Sequence, residues 1–354
     1  MGDKVIEFGS EFDWVANEPF LREIVELDSL HTHYYRSGRD ALKEIAVCNK
    51  GTHNSVLLPT LCCESMVIPF TQNGYKAKFF KLNEDLSANL DDLISKVDEH
   101  TVLVYIHYFG MTSLRDEQLA QLKNNHPQMI MVEDRTHDII VHRTKTAFSP
   151  DYMIASMRKW FALPDGGIIA SIRKVNDEKP APEFSNIRLK AFKNKSEYLS
   201  FGNESLKGDY RHALNEAAVL LDADPHPYGM TEESRKLLSS MDMDGIYRAR
   251  LTNVEALESA LTGLVEAGEI KYLSSHAALS TLYFPILLDN RDAVQHKLTR
   301  VSIYCPVIWP VIETAKGVCK FSEYVADHML ALPCDQRYTP ADMQHIAEAI
   351  KTIL

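Results

Sequence analysis

Apolar and polar positions follow two rhythms along the chain, and the change of rhythm divides it. Between about residue 30 and residue 172, short apolar runs alternate with amphipathic stretches. The runs Ser55–Pro59, Ala77–Leu82, Val102–His107, Met129–Glu133, Tyr152–Ala155 and Gly167–Ser171 are mostly rich in β-branched or aromatic residues, and most lack a polar face. Strands covered by helices on both sides have this pattern. Helices are expected between them, over 39–49, 61–73, 88–98 and 115–124. In the third of these, Leu90, Leu93, Ile94 and Val97 fall on one face. Such alternation predicts a mostly parallel sheet with right-handed crossovers.

After Arg173 the texture changes. Residues 176–183 are polar and Pro-rich, a loop leaving the sheet. Helical periodicity then covers 186–222 and 231–265. From about residue 270 the pattern is α+β: strands over Ser280–Leu288 and Val301–Val307, with a helix over Arg291–Leu298 between them. The last helix has a defined start, with Thr339 as N-cap, Pro340 in the first turn and Asp342 near the positive dipole end. Met343, Ile346, Ala347, Ile350 and Leu354 form its apolar stripe. The expected organisation is an arm over 1–29, a large α/β domain over 30–245 and a smaller α+β domain over 246–354.

Composition narrows the function classes. The 354 residues carry a net charge of −11, which argues against a nucleic-acid partner. No polybasic run suggests an anionic membrane, and no apolar run approaches a transmembrane length. The stretch MGDKVIEFGSEFDW lacks the apolar core of a secretion signal, so the expected location is cytoplasmic. The six cysteines form no CxxC pair, and His31 and His33 are the one close histidine pair. Reduced thiols and no metal site are expected.

In an open parallel sheet, ligands bind beyond the carboxyl ends of the strands. Asp134 follows the Met129–Val132 run, where partial desolvation calls for a cationic or N–H partner. By itself it could be an N-cap or a surface ion pair. Ser37-Gly38 opens the helix 39–49, where free amides and the dipole can take an anion. By itself Ser37 could be an ordinary cap. Lys159 follows the Tyr152–Ala155 run, with Ser156 three residues before it and Trp160 and Phe161 after it. An amine in apolar surroundings has a lowered pKa and is nucleophilic toward carbonyls. By itself it could be a solvated surface charge. Together the three supply a lysine for an aldehyde, an acid for a pyridinium nitrogen and a helix start for a phosphate. That set describes pyridoxal 5′-phosphate.

With these motifs in place, the sequence resembles the DegT/DnrJ/StrS-type sugar aminotransferases, a branch of the fold-type-I pyridoxal-phosphate-dependent transferases. Glu133-Asp134-Arg-Thr-His137 resembles the family's Glu-Asp-x-x-His/Gln motif. Ser156-x-x-Lys159 with Asp165-Gly166-Gly167 resembles its Schiff-base segment, and Ser37-Gly38-Arg39-Asp40-Ala-Leu its phosphate loop. The resemblance implies that Asp134 pairs with the ring nitrogen, His137 lies by the ring hydroxyl, and the Arg39 and Asp40 amides with Ser156 hold the phosphate. Cys63 stands where the family usually stacks an aromatic residue on the ring. Lys159 stands closer to Ser156 than in many relatives. Lys207-Gly-Asp-Tyr-Arg211 replaces a Gly-Tyr-Asn-Tyr-Arg segment that reaches the neighbouring subunit's phosphate.

The implied activity moves an amino group from an amino-acid donor, glutamate by the resemblance, to a keto sugar. The sugar would be nucleotide-linked, in surface polysaccharide or related biosynthesis. The resemblance also implies a homodimer with active sites at its interface. Lys159 and Asp134 are the candidate catalytic residues. Tyr35, His107 and Tyr108 are candidate substrate contacts, and Arg250, Asn253, Arg337 and Tyr338 are polar candidates from the second domain. A pyridoxal phosphate lyase or dehydratase is one alternative; the family's sugar dehydratases carry His in place of the lysine, so Lys159 speaks against that branch. A non-catalytic regulatory protein on the same fold is the other.

Overall fold

The structure, a computed structural model, describes residues 5–13, 31–139, 149–273 and 281–354. Most of the expected N-terminal arm lies outside these residues. The elements follow in the order β1 (His31–Tyr35), α1 (Gly38–Asn49), β2 (Ser55–Pro59), α2 (Glu64–Thr71), β3 (Lys76–Phe80), α3 (Leu90–Ile94), β4 (Thr101–Tyr108), β5 (Met111–Thr112), α4 (Asp116–Asn125), β6 (Ile130–Asp134), β7 (Tyr152–Ala155) and β8 (Gly167–Ser171). Then come α5 (Pro182–Phe201), α6 (Glu204–Asp222), α7 (Glu232–Ser239), α8 (Met243–Glu266), β9 (Lys271–Tyr272), β10 (Phe284–Leu287), α9 (Arg291–Arg300), α10 (Lys320–His328), β11 (Met329–Leu332) and α11 (Pro340–Ile353).

The main sheet has the order β1-β8-β7-β6-β4-β2-β3, with β5 added to the end of β4. Strands β3, β2, β4, β6 and β7 are parallel, while β8 runs antiparallel to both of its neighbours. The register pairs Ile106 with Asp134 and Asp134 with Ile154, so β4, β6 and β7 end level with one another. The residues of β2 and β6 are buried throughout, as their unbroken apolar runs require. A second, antiparallel sheet of order β11-β10-β9 packs with α8, α9 and α11 around Phe284, Ile286, Leu330 and Leu332. The result is an α/β architecture with a mostly parallel central sheet.

Several expected elements change. The helix over 186–222 is broken at Gly202, whose φ of 67° ends α5. The helix over 231–265 is broken before Asp242, whose side chain caps α8. Val301–Val307 is not a strand: Ile303 makes one bridge to Phe8, and Pro306 lacks the N–H a ladder needs. The partner of β10 is instead β11. Strand β1 was not evident from its polar sequence, His-Thr-His-Tyr-Tyr; it lies at the end of the sheet order, paired with β8, and Tyr35 also bridges Gly229. No helix among the described residues is long and apolar enough to cross a membrane.

Candidate active site

The carboxyl ends of β1, β4, β6 and β7 and the start of β8 lie on one side of the main sheet. Helix α1 begins there, with Arg36 and Ser37 between it and β1. Its start is pressed onto the neighbouring strands: a Cβ on Gly167 would lie 2.3 Å from the Ser37 carbonyl, and one on Gly38 would lie 3.2 Å from Ser156 Cβ. Only glycine permits that approach, so the amide end of α1 sits directly beside Ser156. The Gly38 and Arg39 amides have no intrahelical acceptor at this position.

The phosphate-loop residues do not all reach the same space. Ser37 caps α1, accepting the Asp40 amide at 3.2 Å and donating to Asp40 Oδ2 at 2.6 Å. The Asp40 carboxylate turns inward to a two-bond pairing with Arg36, at 2.9 and 2.8 Å. Ser37 and Asp40 are therefore spent on each other and on Arg36, in place of the expected anion contact. Gly38 and Arg39 do line a cavity, and the Arg39 guanidinium is tied to Asp222 at 2.7 Å.

Asp134 ends β6 with Oδ1 accepting the Thr136 amide at 2.8 Å. Burial raises its carboxyl above the usual range, opposed by the Thr136 bonds and the Lys159 charge. The Thr136 hydroxyl accepts the Ser156 amide at 3.1 Å, and its carbonyl accepts Trp160 Nε1 at 2.6 Å. Asp134 and the Lys159 turn are thus held by one intervening residue. His137 is sandwiched between Phe109, at 4.9 Å, and Trp309, at 5.2 Å between ring centres. Burial pushes its imidazole down to about 3, so the ring is neutral, and its Nδ1 is buried without a partner.

Lys159 sits on a single 3-10 turn, Met157–Lys159, clamped by the Gly166 carbonyl on the Met157 amide at 3.1 Å. The side chain retains accessible surface, and two cavities open onto it. Enclosure by protein lowers its pKa from the usual lysine value; Cys63 and Asp134 oppose that, and Arg158 and Arg39 add to it. A larger share of the amine is therefore unprotonated at neutral pH.

The smaller cavity, about 160 Å³, is walled by Gly38, Arg39, Cys63, Asp134, Thr136, His137, Ser156 and Lys159, among others. Cys63 caps α2 at its edge and accepts the Ser65 hydroxyl at 3.0 Å. The larger cavity, about 530 Å³, shares His137, Arg158, Lys159 and Trp309 with it. Its wall also includes Glu11, Arg250, Tyr283, Tyr304, Asp335 and Arg337.

The candidate substrate contacts on β1 and β4 need correction. The Tyr35 hydroxyl donates to the Asn176 carbonyl at 2.7 Å, and the Tyr108 hydroxyl to the Leu61 carbonyl at 2.5 Å. Both rings are fully buried and line neither cavity. His107 is held between Glu133, at 2.8 Å, and Asp138, at 3.1 Å, behind the strand end. Asn253 binds the carbonyls of Asp335 and Tyr338 and is structural. The Tyr338 hydroxyl accepts the Gly9 amide. Within 207–211, Lys207 pairs with Glu7 at 3.0 Å and Asp209 is exposed. Arg158, Thr136, Glu11 and Trp309 were not singled out by the sequence. Of these, Thr136 and Arg158 lay inside motifs already in view.

The donor set suits one kind of ligand. A buried carboxyl with a raised pKa favours a cationic N–H. An unpartnered, neutral imidazole beside it can meet a ring hydroxyl. The α1 amides and Ser156 suit an anionic arm, and a partly deprotonated amine suits an aldehyde. These residues fit pyridoxal 5′-phosphate. Among the described residues no cluster of three or more His, Cys, Asp or Glu could hold a metal ion.

No protein-family model and no curated protein sequence matches the chain. Solved structures do match in shape. The PLP form of the putative sugar aminotransferase Spr1654 from Streptococcus pneumoniae aligns over 99% of this chain and 98% of its own, with a TM-score of 0.67 and 13% identity. A DegT DnrJ EryC1 StrS aminotransferase from Brucella abortus aligns over 91% of this chain and 85% of its own, with a TM-score of 0.59 and 16% identity. DesI, solved in the presence of its TDP-sugar product, aligns over 91% of this chain and 80% of its own, with a TM-score of 0.64 and 15% identity. The chain therefore has the fold-type-I architecture that these sugar aminotransferases share.

Proposed function

We propose that the protein is a pyridoxal-5′-phosphate-dependent aminotransferase that moves an amino group from an amino acid, glutamate in the first instance, to a nucleotide-linked keto sugar. The observation that carries the reading is the position of Lys159: its amine faces both cavities, with Asp134 in the wall of the smaller one. The bound cofactor supplies an aldehyde that links covalently to amines and a ring that accepts electrons when a neighbouring C–H loses its proton.

The chain supplies the rest. Lys159 Nζ, with its lowered pKa, would bond to the aldehyde as a free amine, with loss of water; once the donor's amine displaces it, the freed amine would take and return the substrate proton as general base and acid. Asp134 offers a negative charge to a ring N–H and favours its protonated state, and the Thr136 amide fixes the carboxylate's direction. His137 has an unused ring nitrogen for the ring hydroxyl. Gly38, Arg39 and Ser156 form the anion end. The larger cavity has the volume of a small-ligand site and is lined by both polar and aromatic groups, including Ser10, Glu11, Gln295, Thr299, Tyr304 and Trp309. Sugar hydroxyls suit such a wall. The proposal includes a large domain over 30–245, a small domain over 246–354 and a homodimer, in keeping with the resemblance to sugar aminotransferases.

The test is spectroscopic. Purified protein is incubated with pyridoxal 5′-phosphate, then with glutamate, then with a panel of nucleotide-linked keto sugars. A visible band should form, bleach with glutamate and return with one of the sugars; Lys159→Ala should form no such band. A wild-type protein without the band refutes the cofactor assignment. A band that glutamate and other amino acids leave unchanged refutes transamination.

A further inference from the structure

Arg158 is the cation of the site for which the machinery above has no use. It stands between Ser156 and Lys159 on the 3-10 turn and lines both cavities. Nearby arginines have carboxylates: Arg36 is bonded to Asp40, Arg39 to Asp222, and Arg188 to Glu11 at 3.2 Å. No ion pair among the described residues engages Arg158, and its Nε is buried without a hydrogen-bond partner. The guanidinium carbon lies 5.8 Å from the Phe184 ring centre, a ring that Arg36 and Arg188 also approach. Phe184 thus gathers cationic groups, of which Arg158 alone forms no ion pair with a described residue, the Glu11 carboxylate acting on it only from farther off.

The same cavity wall brings Arg158 together with Gly38, Arg39 and Ser156. Gly38 keeps the start of α1 open: any side chain there would press on Ser156 Cβ. Backbone amides at a helix start, a serine hydroxyl and a guanidinium fork are three kinds of donor in one place. A flat carboxylate offers too few oxygens to use them all, whereas a tetrahedral phosphate can. Burial, followed by the Arg188 charge, pulls the Arg158 guanidinium down to about 9 even though Glu11 and Asp40 oppose the shift. An anion beside it would relieve that cost.

We infer that Arg158 binds the phosphate of the cofactor, acting with Ser156 and the amide end of α1 as a charged clamp within one chain. The inference rests on the proposed cofactor and adds a residue to its phosphate site. Because Arg158 adjoins Lys159 directly, a phosphate held there also fixes how far the ring lies from the amine.

The test compares pyridoxal 5′-phosphate with pyridoxal, which lacks the phosphate, by absorbance titration of the wild type, Arg158→Gln and Arg158→Lys. The readout is the ratio of the two dissociation constants. In Arg158→Gln the phosphorylated ligand should bind about 10- to 100-fold more weakly, the loss of a charged hydrogen-bond donor, and pyridoxal should be unchanged within about 2-fold. Arg158→Lys, which keeps the charge and loses the fork, should lie between, and it carries the test if the Gln variant does not fold. Equal weakening of both ligands, or weakening of neither, overturns the inference and leaves the aminotransferase reading standing. A wild type that binds neither ligand overturns both.

Discussion

The Arg250 guanidinium lies 4.2 Å from the centre of the Trp160 ring, and its Nη2 reaches the Trp160 carbonyl at 3.5 Å. Gln336 donates to the same carbonyl at 2.7 Å and accepts Arg250 Nε at 2.9 Å. Arg250 Nη1 also bonds the carbonyls of Thr281 and Leu282, and the Leu282 amide donates to the His137 carbonyl at 3.2 Å. A fully buried arginine on α8 thereby ties the residue after Lys159 to segments far along the chain.

Removing that tie should cost much more than an exposed ion pair. Arg250→Met takes donors from the buried Thr281 and Leu282 carbonyls and from Gln336 Oε1, and should destabilise the protein by about 3–5 kcal/mol. Arg250→Lys should rescue little of it, since an ammonium cannot reproduce the planar fork. Denaturant unfolding of the three proteins checks this; a near-neutral Arg250→Lys would remove the argument.

Gly167→Ala should strike the site through the backbone. The added methyl would overlap the Ser37 carbonyl, and neither a strand start nor a helix start can easily give way. A loss of about 1–3 kcal/mol is expected, together with weaker pyridoxal 5′-phosphate binding because the α1 amides shift from Ser156. Thermal melting and absorbance titration measure the two effects, and unchanged affinity would mean that the α1 start is not part of the site.

Asp134→Asn should stabilise the cofactor-free protein while weakening cofactor binding. Burial raises the carboxyl's pKa, so as pH rises through the ordinary carboxylate range the unfolded chain ionises first. Folding stability then falls with pH until the native group also ionises, and it stays lowered at neutral pH. The asparagine lacks that penalty. A higher melting temperature than wild type is expected at neutral pH, the gain shrinking as pH falls through the ordinary carboxylate range. Saturating pyridoxal 5′-phosphate should reverse the order of the two proteins.

His107 should confer stability of the opposite pH dependence. Burial alone would lower its pKa, but Asp138 and Glu133 overcome that and raise it to about 9. Arg135 faces the same carboxylates, bonded to Asp138 at 2.7 Å. Each His107 ring nitrogen faces a carboxylate, Nε2 that of Glu133 at 2.8 Å and Nδ1 that of Asp138 at 3.1 Å. A pKa raised on folding gives stability that is complete below about pH 6.5 and lost as pH passes through 9. His107→Gln should therefore be less stable by up to about 3 kcal/mol at pH 6 and close to wild type near pH 10. A pH-independent difference would show that the imidazole is held neutral.

How much of the site the sequence revealed depended on distance along the chain. Asp134, Ser156 and Lys159 each follow a short apolar run, and the sheet's geometry places whatever follows such a run at a ligand-facing edge. Tyr35, His107 and Tyr108 satisfy the same local rule, yet their side chains point into the protein and bond there. Asp40 could be read as part of an anion loop because nothing local shows its carboxylate turning back to Arg36. Val301–Val307 looked like a strand by its apolar content, whereas β10 pairs with the shorter run Met329–Leu332, where every residue carries a backbone N–H.

The sequence alone determined the α/β alternation, the parallel strands and the strand ends at which Asp134 and Lys159 stand. These follow from residue periodicity and from the reach of a few residues, which are local properties. Only the tertiary structure decided which of those residues share a cavity. Glu11, Trp309 and Arg337 come to line a cavity with Arg158 and Lys159 because long-range packing brings separate segments together. It likewise decided that Arg158 forms no ion pair with a described residue while Arg36, Arg39 and Arg188 each do, since a charge is paired or left over only by what folds against it.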